Sequence, residues 1–477
     1  MKKLISLVLA LALIFALAAP AAMAAPTELI MYLISDRPVG FDDALAEFNK
    51  LAEEELGVTL TVNFITWGEF DTSYPLLLAS GEVFDLVYCA GWAGYTDYAL
   101  KGSFMPLEDL LAENMPATMA ALPQQAWDDV TVDGHIYAVP SNAAAPQTTG
   151  CDVRGDLMDA YGMESIGSVD DLVAYLTNVA EKNPEITYPL TYPATLYDIM
   201  LSEKYDIHTF GTNGIFAYRG KDYENLFMTY DCDEFKEVVH TMAELTEKGL
   251  WSRSVLSITD DEQVLFSQGA TACRIHNIDS WLSIYQACPA EWDVRWYRLA
   301  SDPHSPGYLQ DVMCVPYTSK HPAEALKLLD AIRTDSRYYD KLVYGVEGKD
   351  YTLDENGYVE MISDFDSEAG TWGMATLDVK RLYNGAPATY AAVLQEIIDN
   401  YGDYPLSGFN LDLTSGFSSE QAMIANAASE YLVPLKSGVA SDVDAAIAQM
   451  QKQGELCGDD AMLEEATNQM KAFLAAK

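Results

Sequence analysis

Aromatic and charged side chains follow three predicted strands at the point where each strand ends. Asp36 and Arg37 follow the first strand, Trp67 follows the second, and Trp92 and Tyr95 follow the third. Aromatic rings pack on the apolar faces of a ligand, while carboxylate and guanidinium groups hydrogen-bond its polar atoms. These residues predict half of a binding site. The sequence is equally compatible with packing of both tryptophans beneath loops.

The elements that position these residues alternate between strand and helix. Strands are predicted at 29–34, 58–65 and 84–89, and helices at 41–56 and 71–79, where apolar residues recur at helical spacing. This order predicts a mainly parallel sheet covered by helices. Ligands of such sheets bind beyond the C-terminal ends of the strands, which is where the residues above are expected.

A predicted hairpin and a proline separate this region from a second one. Asp133-Gly134 lies between apolar residues, and both of its positions can adopt positive φ, which is typical of a tight hairpin. Pro140 then ends the pairing, and new helices follow. We expect a hinge here, with Tyr137 and Asn142 forming part of the wall of a cleft between two lobes.

The second region supplies further candidates by the same strand-end argument. A strand predicted at 270–275 is followed by Asn277 and Trp281, which are expected to face the cleft from the second lobe. The glycine-rich, polar stretch 344–351 adds Glu347 as a ligand-contacting candidate. From residue 389 onward the chain is expected to be mostly helical, with breaks at 402–416, Pro434 and 454–458.

Composition excludes several classes of protein. The chain has 477 residues, 72 of them acidic and 28 basic, for a net charge of −44. Such a charge repels nucleic acids and anionic lipid surfaces, so neither is an expected partner. Lys2 and Lys3, an apolar stretch and Ala22-Met23-Ala24 predict a signal peptide at residues 1–24 and therefore an exported protein.

The cysteines and histidines do not form a recognisable metal or disulfide motif. Seven cysteines occur without a Cys-x-x-Cys pair, and buried thiols are the expected state. Pairing of Cys273 with Cys288 is an alternative. His240 and Glu244 are four residues apart on a predicted helix, which a surface pair explains better than a metal site. We expect no metal and no cofactor.

The sequence carries none of the common catalytic motifs. The sequence contains no nucleophile elbow, zinc-protease motif, phosphate-binding loop or dinucleotide-binding glycine motif. Paired carboxylates carry little information in so acidic a chain. The 29 tyrosines and 8 tryptophans, several beside polar residues, suit a neutral sugar, whose C–H faces pack on aromatic rings.

Several segments resemble the family 1 extracellular solute-binding proteins of ABC importers. The stretch Leu76 to Val87 looks like the segment that leads into the family's third strand, and Asp133 to Pro140 looks like its crossover. The stretches 344–351, 405–410 and 431–438 are similar to a branch with a C-terminal domain of unknown function. That branch is usually linked to oligosaccharide uptake in Gram-positive cells.

The resemblance implies a fold, a function and roles for some residues. The implied fold is α/β and two-lobed, similar to the type II periplasmic binding proteins, with mixed sheets, hinge crossovers and a helical C-terminal extension. The expected boundaries are lobe 1 at 25–140 plus about 301–345, and lobe 2 at 141–300 plus about 346–477. By similarity to maltose-type binders, Asp36 and Arg37 would hydrogen-bond ligand hydroxyls and Trp281 would stack on a ring.

The implied function is capture of a sugar or oligosaccharide for the membrane subunits of an ABC importer by a monomeric protein without enzymatic activity. The alternatives are an exported carbohydrate-active enzyme and a ligand-presenting sensor subunit. Ala25 occupies the position where Gram-positive relatives usually carry a lipid-modified cysteine. The protein is therefore expected to be extracellular, associated with the cell surface through a partner, or periplasmic.

Overall fold

The computed structural model describes residues 25–144, 146, 148–299, 307–365, 369–402, 404–406, 408–409 and 411–476. The expected signal peptide and the expected crossover near residue 300 lie outside these residues.

The strands follow one another over most of the chain. In chain order they are β1 (Thr27–Ile34), β2 (Val58–Ile65), β3 (Leu86–Cys89), β4 (Thr131–Val132), β5 (His135–Ile136), β6 (Ala138–Pro140), β7 (Gly150–Val153), β8 (Tyr188–Leu190), β9 (Ile207–Phe210), β10 (Phe216–Arg219), β11 (Asp222–Met228), β12 (Thr271–His276), β13 (Arg295–Arg298), β14 (Val312–Cys314), β15 (Tyr351–Leu353) and β16 (Val359–Met361).

The helices lie between these strands and dominate the C-terminal region. In chain order they are α1 (Phe41–Leu56), α2 (Phe70–Ala79), α3 (Tyr95–Leu100), α4 (Glu108–Asn114), α5 (Pro116–Ala121), α6 (Gln124–Asp129), α7 (Gly155–Tyr161), α8 (Val169–Lys182), α9 (Pro193–Tyr205), α10 (Asp233–Glu247), α11 (Glu262–Ser267), α12 (Asp279–Ala287), α13 (Pro322–Thr334), α14 (Ser336–Val343), α15 (Tyr390–Asp399), α16 (Thr414–Ala427), α17 (Val433–Lys436), α18 (Val443–Cys457) and α19 (Asp459–Ala476).

The first lobe is built on a mixed sheet with the strand order β2–β1–β3–β14–β6. β1 pairs in parallel with β2 and β3, whereas β14 runs antiparallel to β3 and β6. The C-terminal ends of β1, β2 and β3 therefore meet at one edge. The start of β14 lies at the same edge, because Val312 pairs with Cys89.

Helix α1 shows how the sequence pattern covers this sheet. Phe41, Ala44, Phe48 and Ala52 are buried, at the three- and four-residue spacing that places side chains on one helix face. The helix ends at Gly57, whose φ of 67° is a left-handed conformation that glycine adopts at little cost. The buried face packs α1 against the core of the first lobe.

The hairpin before the first crossover is confirmed. β4 and β5 pair antiparallel, and Asp133 and Gly134 between them have φ angles of 49° and 81°. Positive φ at both central residues matches the twist of the flanking strands. The chain then runs through β6 and leaves the first lobe after Pro140.

The second lobe contains a mixed sheet with the order β13–β7–β12–β8 and an antiparallel sheet with the order β11–β10–β9. β12 is parallel to β8, so the residues that follow these two strands lie at the same edge. Helices α16 to α19 pack on this lobe, since Ile424, Leu435, Met450 and Met462 belong to its core. This matches the expected helical extension.

Pro434 does not interrupt the C-terminal helices. A π-helix at Ala428–Leu432 runs directly into α17, and Pro434 lies in the first turn of α17. Proline is tolerated in a first turn, where its missing N–H needs no partner. Gly454 likewise lies inside α18, and the helix ends at Gly458.

The boundary between the lobes near residue 345 comes later than expected. Tyr351, Val359, Met374 and Val379 all belong to the hydrophobic core of the first lobe. Arg381 Nη2 also lies 2.7 Å from a carboxylate oxygen of Asp340 on α14. The chain joins the second lobe only with α15, whose residues pack in a small third core with α12.

The alternative pairing of Cys273 with Cys288 is not what the structure shows. Cys273 lies on β12 beside Cys151 of β7, both without exposed surface, whereas Cys288 packs against the third core. All seven thiols are free. Burial and the neighbouring Cys151 raise the pKa of Cys273, so it is an inert core residue.

Among the helices of the described residues, none has both the length and the apolarity that a membrane span requires.

Candidate functional site

Three tryptophans lie together at the edge of the first sheet where β1, β2 and β3 end. Trp67 begins a 3-10 helix after β2, Trp92 follows β3, and Trp372 begins a second 3-10 helix. The ring centroids of Trp67 lie 5.9 Å from those of Trp92 and 6.0 Å from those of Trp372. We call these residues the tryptophan cluster. Trp67 is 37% exposed and Trp92 49%, so both are partly open to solvent.

Trp372 is the member that the sequence did not predict. It lies in an irregular segment with neither helical nor strand periodicity. The segment lies directly on β14, because a Cβ atom added to Gly373 would lie 2.6 Å from the carbonyl oxygen of Val312. The glycines on either side, in Gly370-Thr371-Trp372-Gly373, are the signal that could have revealed a close backbone approach.

Tyr88 and Asp311 support the tryptophan cluster from beneath. The Tyr88 ring centroid lies 6.2 Å from that of Trp92 and 5.8 Å from that of Trp372. Its hydroxyl donates to Asp311 Oδ1 at 2.6 Å. Burial raises the pKa of Asp311 to about 6 and the pKa of Tyr88 far above its usual value, so the hydroxyl remains a donor. This buried hydrogen bond fixes the Tyr88 ring in place beneath the tryptophan cluster.

The second lobe approaches the first beside Trp67. A Cβ atom added to Gly68 would lie 2.9 Å from the carbonyl oxygen of Thr259, so the lobes are in contact there. Asp36 of the first lobe also lies within electrostatic range of Asp261 of the second lobe. Partial burial, then repulsion from Asp261 and from Glu69, raises the pKa of Asp36. We call the space between the strand ends of the two lobes the cleft.

A polar network forms the second-lobe wall of the cleft. Glu262 accepts a hydrogen bond of 2.6 Å from the Thr191 hydroxyl and lies 3.3 Å from Arg274 Nε. His276 is the last residue of β12 and keeps an exposed surface. Surrounding protein atoms and then the charge of Arg274 lower its pKa, so its ring is neutral and has one donor and one acceptor nitrogen.

Arg37 was expected to hydrogen-bond ligand hydroxyls, but its guanidinium binds within its own lobe. Its guanidinium donates to the Val62 carbonyl oxygen at 3.0 Å and pairs with Asp42. It also lies over the rings of Phe41 and Phe64, at 5.1 and 5.6 Å from their centroids. The side chain therefore covers its own lobe, while its neighbour Asp36 faces the cleft.

Tyr95 and Trp281 are core residues. Tyr95 has no exposed surface and donates to the Val130 carbonyl oxygen at 2.6 Å. Trp281 is 3% exposed, and its Nε1 donates to the Val294 carbonyl oxygen at 2.8 Å. The strand-end argument located both segments, but it could not indicate which face of the following helix points inward. Neither ring can stack on a ligand in this arrangement.

The remaining candidates contact other residues of the protein. Asn142 Oδ1 accepts from the Leu377 amide at 3.1 Å, and Asn277 Oδ1 accepts from the Ser280 amide at 3.3 Å. Tyr137 lies beside His135, with ring centroids 6.0 Å apart. Glu347 is exposed in the loop after α14 and bridges to Tyr351 through its backbone. Of these, Asn277 lies next to His276 on the second-lobe wall.

A cavity of about 640 Å³ continues from the tryptophan cluster between the two lobes. Phe70 and Trp92 line it from the first lobe, and Phe210 and Tyr218 line it from the second. The volume lies within the range of about 300–1,000 Å³ that is typical of small-molecule sites. Within the described part of the chain, no group of three or more His, Cys, Asp and Glu residues could hold a metal ion.

Two parts of the chain match known protein families. The family described as bacterial extracellular solute-binding protein matches residues 37–336, which is more than half of the chain. The chain belongs to this family. A domain of unknown function, DUF3502, matches residues 405–475 of this solute-binding protein, as the resemblance of its C-terminal stretches had implied.

Known proteins are similar to this solute-binding protein over most of its length. A carbohydrate ABC transporter substrate-binding protein of Streptococcus pneumoniae serotype 4 (strain ATCC BAA-334 / TIGR4) is 24% identical over 94% of this chain and 91% of its own. Crystal structures of the N-glycan transport solute binding protein NgtS of S. pneumoniae, in complex with Man1GlcNAc or Man5GlcNAc, superpose with a TM-score of 0.80. They are 21% identical, over 94% of this chain and 99–100% of theirs.

A more distant structure has the same architecture. The alginate-binding protein AlgQ2 without calcium ion superposes with a TM-score of 0.68 at 16% identity, over 94% of this chain and 98% of that one. These likenesses confirm the two-lobed α/β fold of solute-binding proteins.

Proposed function

We propose that this protein captures a sugar or oligosaccharide between its two lobes and delivers it to the membrane subunits of an ABC importer. The observation that carries the proposal is the tryptophan cluster, which faces solvent at the edge where the second lobe approaches. Aromatic faces suit the C–H faces of sugar rings, and Asp36, His276 and Asn277 supply donors and acceptors for hydroxyls. The names of the similar proteins support a carbohydrate ligand.

The proposed mechanism is capture by closure. A ligand that touches the tryptophan cluster and the second-lobe wall together makes all of its contacts only when the lobes approach each other. Binding therefore shifts the population toward the closed arrangement. The membrane subunits would recognise that arrangement and receive the ligand when the lobes separate.

The proposed location follows from the same family. Residues 1–24 would direct export as a signal peptide and be removed after Ala24, and extracellular solute-binding proteins act outside the cytoplasm. We propose that the protein works there as a monomer. It would reach the membrane by docking on its importer.

Hydrolysis is the competing function. A glycosidase would use two carboxylates that flank a bound sugar, and the pKa of Asp36 is raised by partial burial and then by repulsion from Asp261. Binding and hydrolysis differ in the fate of the ligand. A solute-binding protein releases its ligand intact.

Calorimetry with a panel of neutral saccharides tests the proposal. The panel contains Man1GlcNAc, Man5GlcNAc, and malto-, cello- and manno-oligosaccharides of two and five units. We expect at least one member to bind with a micromolar or lower Kd and to be recovered intact by mass spectrometry. Absence of binding across the panel would contradict the proposal, and cleaved ligand would establish the enzyme instead.

A further inference from the structure

The cavity beside the tryptophan cluster has walls from both lobes and from the C-terminal region. Phe70, Tyr74 and Trp92 line it from the first lobe, and Phe210 lines it from the second. Its outer wall consists of residues between 404 and 421, which include Phe409 and Gln421. We call this cavity the aromatic chamber. Its outer wall falls within or directly beside the segment that matches the domain of unknown function.

The outer wall is anchored to the C-terminal helices. The Phe409 ring centroid lies 6.3 Å from that of Phe210 on β9 and 5.4 Å from that of Phe473 on α19. Leu406 and Leu413, on either side of Phe409 in the chain, are buried in the core of the second lobe. The wall therefore moves with the second lobe, so the chamber narrows or widens as the lobes approach or separate.

The aromatic chamber is continuous with the tryptophan cluster. Trp92 belongs to both, and Phe70, which lines the chamber, has its ring centroid 5.9 Å from that of Trp67. A ligand with one ring on the tryptophan cluster can extend into the chamber without leaving an aromatic surface. A monosaccharide cannot occupy both places at once.

The charge of the chamber restricts its occupant. Among the described residues that line it, none is basic, and Asp71 and Asp97 are both acidic. Burial raises the pKa of Asp97, the charge of Lys101 opposes this shift, and Asp412 adds to it. A uronate or sulfated sugar would meet two acidic side chains in the chamber wall and no basic one. Thr209, Thr212 and Gln421 offer neutral donors and acceptors to hydroxyls instead.

We propose that the C-terminal unit forms a distal subsite in the aromatic chamber, which holds the remote units of a neutral oligosaccharide whose first ring rests on the tryptophan cluster. This inference rests on the proposed function. It gives the C-terminal unit a role in selecting ligands by length and charge.

The test compares short and long members of the same neutral series. The probes are Man1GlcNAc and Man5GlcNAc, and malto-, cello- and manno-oligosaccharides of two and five units, measured by calorimetry. For the wild type we expect the longer member of the bound series to bind at least tenfold more tightly than the shorter one. Phe409→Ala is expected to remove most of that difference and to leave the Kd of the shorter member within about threefold.

Two further variants separate the subsite from the stability of the fold. Thr212→Trp places a large ring at an exposed position that lines the chamber, and it should weaken only the longer member. It decides the test if Phe409→Ala fails to fold. Phe227→Ala makes the same substitution at a half-buried position of β11 that does not line the chamber, and it should change neither Kd.

The outcomes distinguish this inference from the proposed function. Absence of wild-type binding to every probe contradicts the proposed function. Equal affinity for short and long members, or a length preference that persists in Phe409→Ala and Thr212→Trp, overturns the distal subsite and leaves capture by the lobes intact. Equal weakening of both members by Phe409→Ala and Phe227→Ala overturns it as well, because it indicates a general effect on folding.

Discussion

Replacement of Trp67 by alanine should weaken ligand binding far more than it weakens the fold. Trp67 is 37% exposed, and a tryptophan side chain presents at most about 250 Å² of surface, so about 90 Å² faces the cleft. At about 25 cal/mol per Å², covering this surface with a sugar ring contributes roughly 2 kcal/mol. The substitution is therefore expected to raise Kd roughly 30-fold.

The assay is calorimetry with the tightest neutral saccharide of the panel, together with a thermal melt of each variant. Trp67→Phe keeps an aromatic face and should lose less than a third of that free energy. Tyr317→Ala is the matched control: Tyr317 is 67% exposed, and it follows β14 at the opposite edge of the sheet. The reasoning is refuted if Trp67→Ala remains folded and binds within threefold of the wild type, or if Tyr317→Ala weakens binding as much.

Three further predictions follow from single contacts and charges. Gly68→Ala should weaken binding several-fold and keep the liganded protein more open in small-angle scattering, because the added Cβ would lie 2.9 Å from the Thr259 carbonyl oxygen. Asp152→Asn should stabilise the protein at pH 8 but not at pH 4, by on the order of 4 kcal/mol in urea denaturation. Alginate oligosaccharides should bind far more weakly than neutral ones of equal length, because the aromatic chamber carries acidic and no basic described residues.

The sign of the Asp152 effect follows from its surroundings. Asp152 has no exposed surface and accepts a hydrogen bond of 2.8 Å from the Ser280 hydroxyl, and burial raises its pKa from 3.8 to about 7. The folded state therefore holds its proton more tightly than the unfolded chain does. Its contribution to stability is present below about pH 4 and is lost as the pH rises to about 7. Asparagine cannot ionise, so it escapes that loss.

Each of the three has an outcome that would contradict it. Gly416→Ala, where an added Cβ meets nothing within 4 Å, is the control for Gly68→Ala, and equal binding by the two variants would exclude a steric contact between the lobes. If the free energies of unfolding of wild type and Asp152→Asn differ by the same amount at pH 4 and pH 8, the pKa of Asp152 is not the one that is raised. Comparable Kd values for alginate and neutral oligosaccharides would exclude selection by charge.

The sequence predicted those site residues that lie at the C-terminal ends of parallel strands. Strand–helix alternation located the segments that contain Asp36, Trp67 and Trp92, since parallel strands place their C-terminal ends together. The Asp133-Gly134 hairpin was also predictable, because positive φ at both positions needs such residues.

The failures have a common physical cause, which is that local patterns do not encode side-chain direction or long-range packing. Trp281 and Tyr95 follow strands as expected, but their rings turn into cores and donate to backbone carbonyl oxygens. Arg37 finds partners on its own lobe, and Trp372 reaches the site through an irregular segment held against β14. The late return to the second lobe depends on contacts such as that between Asp340 and Arg381, far apart in the chain.

The most direct test of capture between the lobes is a crystal structure of the wild-type protein with the tightest neutral oligosaccharide of the panel. We expect density for the ligand between the lobes, with one ring within about 4.5 Å of Trp67 or Trp92 and the remaining units extending toward Phe409. Density for the ligand at any other surface, with the tryptophan cluster still open to solvent, would contradict capture between the lobes.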